Sequence, residues 1–466
     1  MISPFRRSLG LLVVGTGSLI TPLDSSVNIA FPYIVGDFGK PMAMIQWVVI
    51  FYVLTYASLM LVFGKLGDLF GHRRIFGIGL AVSIVGLLLV SVSPSFEGLL
   101  FFRFLQGLGS GLVTSVGPAL IIALYPEDQR GRAVGMFTLI YALGSMLGPS
   151  LGGWLVEMFD WRAVFWFRAP IALFSLVLLV TLPTPSKRLE KPSYDIAGAV
   201  TLIVAMSSFM MTLNQLQRLE QQGVLPIIGF AVVFGLSIVG FIHAESKAKE
   251  PILKLTVFRN IDFTIINLTS CLVYLATFAV MLVMPFLLPR LPGLSVSSAG
   301  MVLAVGFVGA SIAAPIGGRL IGLLRANRVC FTGAVMTGLG ILAIGQVSGA
   351  EDLPWMVSAL LLQGIGTGLF QVSYMYIVTG TLPVAERGVS GSLAMLTRTI
   401  GVVTSVTTLT LAFAWLQDSA IARGLGEAES FQNAFQGTFT VAGGGLLVFL
   451  LATMLRPRIW LGRPSD

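Results

Sequence analysis

Apolar stretches of about 20 residues alternate with short polar turns along the whole of this chain. A helix rises 1.5 Å per residue and a bilayer core is about 30 Å thick, so such a stretch makes one spanning helix. On that measure spans are predicted near Ser8–Ile34, Met44–Phe63, Ile75–Ser93, Gly98–Leu124, Val134–Val156 and Ala163–Leu182. A pair follows at Ile196–Leu216 and Val224–Ile242. Six more lie near Phe263–Leu288, Ser298–Gly318, Val329–Val347, Leu353–Leu382, Val389–Leu416 and Phe435–Leu455, fourteen in all. The one carboxylate deep in this pattern is Asp24, within the first stretch. A carboxylate at membrane depth is costly and marks ion or substrate movement.

Composition supports the pattern. Charged residues are 11% and hydrophobic ones 55%, against about 25% charged in soluble domains, so the chain is an all-α integral membrane protein. Lysine and arginine set its orientation. Most of the 29 fall on one side, among them Arg6, Arg7, Lys65, Arg73, Arg74, Arg130, Arg132, Lys187, Lys247, Arg259, Arg325, Arg387 and Arg456. Lys40, Arg162, Arg218, Arg290 and Arg423 fall on the other. Both termini are thereby expected in the cytoplasm, with the protein multi-pass in the cell (inner) membrane. The net charge of +8 reflects that topology and calls for no nucleic-acid partner. Cys271 and Cys330 lie in or beside spans, which indicates neither a disulfide framework nor a metal site. The first apolar run is too long for a cleavable signal, and Asp24 is wrong for one.

The chain also repeats itself. Leu105-Gln106-Gly107-Leu108-Gly109-Ser110-Gly111-Leu112 returns as Leu362-Gln363-Gly364-Ile365-Gly366-Thr367-Gly368-Leu369, at an offset of 257. The same offset carries Pro126, Arg130 and Gly131 onto Pro383, Arg387 and Gly388; near Gly64 it becomes 254, placing Gly64 on Gly318. Two related six-helix bundles, residues 1–190 and 251–466, are therefore expected on either side of a two-helix insert, 191–250. Parallel repeats of this kind are a transporter architecture with midplane sites between the halves. The halves differ in chemistry: Asp68 is matched by Gly322 and Arg103 by Leu360, so charge is concentrated in the first.

The segment Gly64-Lys65-Leu66-Gly67-Asp68-Leu69-Phe70-Gly71-His72-Arg73-Arg74 reads as a tight glycine-bearing loop. It resembles the signature loop of the major facilitator superfamily. Leu23-Asp24-Ser25-Ser26-Val27-Asn28-Ile29-Ala30-Phe31-Pro32 is similar to the first-helix motif of that superfamily's fourteen-span drug:proton antiporters. Gln46, Trp47 and Tyr52 fit their second helix, and Arg103-Phe104-Leu105-Gln106-Gly107 resembles their fourth-helix motif. The run Gly144-Ser145-Met146-Leu147-Gly148-Pro149-Ser150-Leu151-Gly152-Gly153 resembles the antiporter motif of the fifth. With Trp161-Arg162-Ala163-Val164-Phe165-Trp166 the resemblance covers essentially the full length. It implies the major facilitator fold, no cofactor beyond a proton gradient, proton coupling at Asp24 and Arg103, and a monomer at work in the bilayer. It also implies a conformational gate at Gly64, Asp68, Gly71, Arg73, Arg74, Arg130 and Arg387. In that gate Asp68 would meet the helix start near Gly388–Gly391.

Read physically, Gly144, Gly148 and Gly152 share one bare helix face for close packing, and Pro149 favours a bend. In the family this face closes against the opposite half. Asp24 lies roughly 24 Å along its span and Arg103 roughly 8 Å into its own from the other side, a similar depth. The pair is either a permanent ion pair or a proton-loading site. Asn28 stands one turn beyond Asp24. Arg168 stands where the family often has Asn; it either pairs with Glu157 or Asp160 or biases the site toward anionic or amphipathic ligands. The second-half spans Ser298–Gly318 and Val389–Leu416 contain no carboxylate, which disfavours dicationic substrates. Candidate substrate contacts are Asn28, Trp47, Tyr52, Tyr141, Tyr274, Phe278, Gln363, Gln371 and Tyr374. No nucleotide-binding G-x-x-x-x-G-K-[ST] occurs and no catalytic cluster is visible, so an enzyme is not expected. The expectation is a proton-coupled exporter of hydrophobic or amphipathic small molecules. The alternatives are a dedicated exporter or flippase of a lipid or secondary metabolite, and a non-transporting receptor or scaffold.

Overall fold

A computed structural model describes residues 4–126, 130–182, 195–216, 223–248, 259–381 and 387–461, and these are helical almost throughout. In chain order the first helices are α1 (Pro4–Leu19), α2 (Ser26–Asp37), α3 (Ile45–Phe70), α4 (His72–Ser91), α5 (Phe96–Leu124) and α6 (Arg130–Met158). Next come α7 (Ala163–Trp166), α8 (Arg168–Leu179), α9 (Ile196–Leu216) and α10 (Leu225–Lys247). The rest are α11 (Ile261–Leu287), α12 (Val296–Leu324), α13 (Ala326–Ile344), α14 (Leu353–Thr381), α15 (Arg387–Ala422), α16 (Glu427–Thr453) and the short α17 (Arg458–Leu461). Among the described residues, ten helical stretches are long and apolar enough to cross a membrane. Met42–Tyr56, Ala163–Leu179 and Ala197–Phe209 are shorter apolar stretches. The protein is a multi-pass, all-helical membrane protein.

Three local outcomes differ from the sequence expectation. The first span is not one helix: α1 ends at Leu19, and a 3-10 turn, Pro22–Ser25, precedes α2. Pro22 has no N–H to continue the ladder but suits the first position of a new helical turn. Asp24 sits on that turn, its amide bonded back to the Thr21 carbonyl at 3.0 Å. Second, the expected loop from Gly64 to Arg74 is mostly helix. Helix α3 continues through Gly64 to Phe70, and Gly71 alone makes the turn, at φ 94°. Glycine reaches that region without a Cβ clash. Third, α16 starts at Glu427, well before the expected Phe435, with Glu427 and Glu429 in its first turn where carboxylates favour the helix dipole.

The chain divides into two compact units. Met1–Thr212 with Val224–Ile252 form the first, and Leu213–Gly223 with Leu253–Asp466 form the second. Of the expected 191–250 insert, α9 as far as Thr212 and the whole of α10 thus group with the first unit. They pack on each other through Phe209 and Phe234, whose rings are 5.2 Å apart. Only 6% of the apolar window of α10 is buried, so nearly all of that helix faces outward.

Inside each unit the duplication recurs contact by contact. In the first, a Cβ placed on Gly109 would lie 2.5 Å from the Ser83 amide nitrogen of α4, one on Gly79 2.9 Å from the Val113 nitrogen, and one on Gly86 2.8 Å from the Gln106 Cα. In the second, Gly366 faces Thr337 of α13, Gly333 faces Phe370 and Gly340 faces Gln363, at the same sequence offsets. The other face repeats too. Gly107 and Gly111 of α5 press on Tyr52 and Tyr56 of α3, while Gly364 and Gly368 of α14 press on Gly306 and Ala310 of α12. Glycines spaced four apart share a face, and the one between them points elsewhere. The run of three glycines in α5 and in α14 therefore lets one helix lie backbone-to-backbone against two neighbours. This close approach is how helices associate where lipid supplies no hydrophobic drive.

Methyl groups should accordingly be damaging on this ladder and harmless off it. Gly109→Ala and Gly366→Ala should each destabilise by about 1–3 kcal/mol, the cost of overpacking. Gly229→Ala and Gly235→Ala on α10, where nothing lies within 4 Å, should hold or slightly raise stability. Thermal unfolding in detergent measures all four.

Candidate functional site

Asp24 is brought to its partners by the break in the first span and by the bare face of α6. A Cβ on Gly144 would lie 2.7 Å from Leu19 Cδ1 and 2.8 Å from Pro22 Cγ, and one on Gly152 2.5 Å from the Ser26 carbonyl oxygen. Gly148 faces Ser25, whose hydroxyl donates to the Pro22 carbonyl (2.9 Å) and the Ser145 carbonyl (3.2 Å). The glycine face expected to close against the other half is thus occupied by the same unit's own first span. Helix α6 continues through Pro149, with Gly152 and Gly153 buried beyond it.

Two arginines converge on the carboxylate. Arg103 of α5 grips it with both terminal nitrogens, Nη1 to Oδ1 at 2.8 Å and Nη2 to Oδ2 at 3.0 Å. Arg168, the first residue of α8, donates from Nη1 to Oδ1 at 2.6 Å. Gln106, one turn along α5 from Arg103, donates to Oδ1 at 3.1 Å and accepts from Arg103 Nη1 at 2.8 Å. The remaining donors reach backbone carbonyls. Arg103 Nε reaches Val48 of α3 (3.0 Å), and Arg168 reaches Val164 (3.1 Å) and Ile20 (3.3 Å). The Ile20 carbonyl is available because the helix has stopped there. Tyr52 lies over the Arg103 guanidinium at 4.2 Å, and Phe165 stands 5.6 and 5.7 Å from the two guanidiniums. Cation–π contact of this kind strengthens as water is excluded.

The side chains of Arg103 and Arg168 are 2% and 0% exposed, and that of Asp24 13%. The pairing of Arg168 with Asp24 corrects the first of its two sequence readings, a partnership with Glu157 or Asp160; Arg162 takes the Asp160 contact instead, at 3.7 Å. The cluster carries two positive charges and one negative, and Arg168 Nη2 is buried without a hydrogen-bond partner among the described residues. Ions at this depth persist only when paired and hydrogen-bonded. A proton on Asp24 would compete with the guanidiniums for the same two oxygens. Gln106 stands inside the fourth-helix motif without being named as a site residue, and Arg168 is singled out by the sequence without Asp24 as its partner. Arg168 carried a signal, since it is a second cation inside an apolar span.

The second unit keeps the scaffold and changes the chemistry. Gln363, the repeat of Gln106, donates to Thr367 (2.9 Å) and Thr277 (3.5 Å) instead of a carboxylate. Where the first unit has Tyr52 and Arg103, the second has Gly306 and Leu360. Beside Gly306 lies a cavity of about 80 Å³ lined by Thr277, Met281, Phe307, Gln363 and Thr367.

The other candidate contacts are spread over both units. Asn28 is half-buried in the first turn of α2, Trp47 is buried beside the Phe51 ring, and Tyr141 is half-buried on α6. Arg398 lies over the Tyr274 ring at 5.4 Å; Phe278 is half-buried and Gln371 exposed. Tyr374 is committed to packing: its hydroxyl bonds Asn267 (2.8 Å) and Thr397 (2.9 Å), and its ring stacks on Phe370. In the gate segment Arg73 donates to the Val180 carbonyl at 2.9 Å, and Arg74 is exposed. The side chains of Asp68, Arg130, Arg387 and residues 388–391 lie outside the described residues.

The sequence matches the family model described as Major Facilitator Superfamily over residues 13–258 and 266–465. It is 29% identical over 405 residues to the multidrug transporter protein MdtP of Bacillus subtilis, covering 87% of this chain and 75% of that one. To multidrug resistance protein 3 of the same organism it is 28% identical over 440 residues, 94% of this chain and 83% of the relative. To the tetracenomycin C resistance and export protein of Streptomyces glaucescens it is 27% identical over 393 residues, covering 84% and 73%. Among solved structures, an auto-inhibited peptide transporter of the POT family superposes with a TM-score of 0.74 at 17% identity over 99% of each chain. A bacterial homologue of the human lysosomal transporter Spinster gives 0.74 at 16% identity over all of both. These two likenesses show the fold.

The charge count predicts an order of damage. Asp24→Asn leaves two buried cations without their anion and should cost about 3–5 kcal/mol, whereas Arg168→Gln leaves the bidentate Asp24–Arg103 pair intact and should cost less. Unfolding of the two variants in detergent would show it; a larger loss for Arg168→Gln would mean that Arg168 is the main partner.

Proposed function

Because the chain belongs to the Major Facilitator Superfamily and resembles multidrug efflux transporters, we propose that it is a fourteen-span, proton-coupled exporter of hydrophobic or amphipathic small molecules. It would sit in the inner membrane with both termini cytoplasmic. The observation that carries the proposal is the Asp24 carboxylate, held by Arg103 and Arg168 on a broken helix in an apolar interior. A scaffold or receptor has no use for so costly a group. Loading a proton on Asp24 loosens its hold on the arginines. Because those arginines lie on α5 and α8 while Asp24 lies on the first span, a protonation event becomes a change in how three helices are tied. That is the chemical requirement for coupling.

The net positive charge of the cluster, with the uncharged lining of the second unit, favours neutral or singly charged amphiphiles over dications. A dedicated metabolite exporter is the second reading. It is favoured by the relative named for export of a single compound, tetracenomycin C. A panel of dyes, drugs and aromatic metabolites on the same vesicles separates the two by breadth of response.

Asp24→Asn should abolish substrate-driven proton release from proteoliposomes and reduce active export at least tenfold, while binding of substrate to purified protein persists. Proton release equal to that of the unmodified protein would refute Asp24 as the coupling group.

A further inference from the structure

The turn between the second and third spans of each repeat, α3–α4 and α12–α13, is built the same way twice, and the second copy has been altered. In the first unit the positive-φ residue is Gly71, at φ 94° and ψ 124°. Its repeat, at the offset of 254, is Arg325, at φ 69° and ψ 136°, the only described non-glycine with positive φ. An arginine held there is strained, and such strain persists only where the surroundings enforce it. Here they do: Arg325 Nη1 donates to the Leu461 carbonyl at 3.3 Å, and Asn327 Nδ2 donates to the Ile459 carbonyl at 2.6 Å. Asn327 repeats Arg73, which makes the matching bond to Val180 after α8. Both turns therefore bond the segment that follows their repeat's sixth span: Val180 after α8, and Ile459 and Leu461 of α17 after α16. In the second unit the Asn327 amide stands in for the Arg73 guanidinium beside the Arg325 bond, and Trp460 completes the anchor with Nε1 on Thr453 Oγ1 at 2.9 Å.

Two guanidiniums remain that this anchoring does not use. Arg456 and Arg458 follow directly on α16 and are exposed. They line an open cavity of about 780 Å³ together with Asn260, Asp262, Asn327, Leu455, Pro457 and Ile459. Asn260 spends its Oδ1 on capping α11, accepting from the amides of Asp262 and Phe263, and so keeps its NH2 as a donor. Among the described wall residues Asp262 is the one acid, leaving their sum net positive. Leu455, in the same wall, is 88% exposed, and Leu323 at the end of α12 is 79% exposed. Full exposure of leucines at the end of spanning helices is the mark of contact with acyl chains. A basic pocket with Leu455 in its wall meets both halves of a lipid.

We propose that this cavity is a binding site for an acidic glycerophospholipid. Arg456, Arg458 and the Asn260 amide hold the headgroup phosphate, and Leu455 lies along the acyl chains. Because Arg325 and Asn327 fasten the same segment to the α12–α13 turn, a bound lipid clamps the end of α16 to that turn. The site lies within the second unit and does not depend on what the protein exports.

The test is native mass spectrometry of the full-length protein exchanged into equal phosphatidylglycerol and phosphatidylcholine. The unmodified protein should retain phosphatidylglycerol over phosphatidylcholine by on the order of tenfold, the preference two guanidiniums near an anionic headgroup supply. Arg456→Gln with Arg458→Gln should erase the preference, and Asp262→Asn should raise it. Lys247→Gln with Arg319→Gln, which removes the same charge at residues that do not line the cavity, should leave it unchanged. Equal retention of both lipids by the unmodified protein overturns the site. Equal loss in the two double variants would reduce it to bulk charge attraction and also overturns it. Thermal stabilisation by inorganic phosphate alone that matches phosphatidylglycerol would mean a soluble-anion site and sinks the lipid assignment. Unfolding midpoints without lipid confirm that the variants are folded.

Discussion

Much of the first unit is organised around keeping one carboxylate charged and paired where water is scarce. An ion at this depth survives only if its partners arrive with correct geometry, and several departures from plain helix serve that end. The first span stops at Leu19 and turns at Pro22, which brings Asp24 and the freed Ile20 carbonyl to the same place. Glycines at 144, 148 and 152 let α6 approach that turn closely. The break between α7 and α8 makes Arg168 the first residue of a helix, and α5 supplies Arg103 and Gln106 one turn apart. One carboxylate shared between two guanidiniums ties three helices together through a single group.

The second unit shows what the scaffold is without the charge. Its glycine ladder is the same to the residue, so backbone packing does not depend on the ions. Replacing Tyr52 by Gly306 and Arg103 by Leu360 leaves the equivalent glutamine, Gln363, in a hydroxyl network beside a small cavity. Gene duplication fixed the helix contacts, and side chains that project from them were then free to diverge. The turn at Gly71 and Arg325 diverged similarly: its bond to the segment after the sixth span persisted while its residues changed.

Legibility from sequence followed the range of the interaction. Helix positions were readable because membrane thickness imposes a length on every span, and the duplication was readable because glycines at close contacts admit no other residue. Asp24 and Arg103 stood out as charges in apolar surroundings. The break at Pro22 was present in the sequence but ambiguous, since proline is tolerated inside membrane helices where neighbours can re-satisfy the backbone. The gate segment looked like a loop from its charges and glycines, yet six of its residues after Gly64 prolong α3. Spanning helices commonly run past the hydrocarbon edge.

The sequence by itself determined that the chain crosses the membrane many times, that it is built twice from one helical plan, and which residues carry charge at depth. All of these follow from composition and local spacing along the chain. Only the tertiary structure decided which groups those charges meet. Arg168 is 144 residues from Asp24 and close to two acidic residues in sequence, but the helix on which it stands aims it at the distant carboxylate. Pairing of buried ions is set by which helix faces meet at one depth, a three-dimensional condition that spacing along a single chain does not encode.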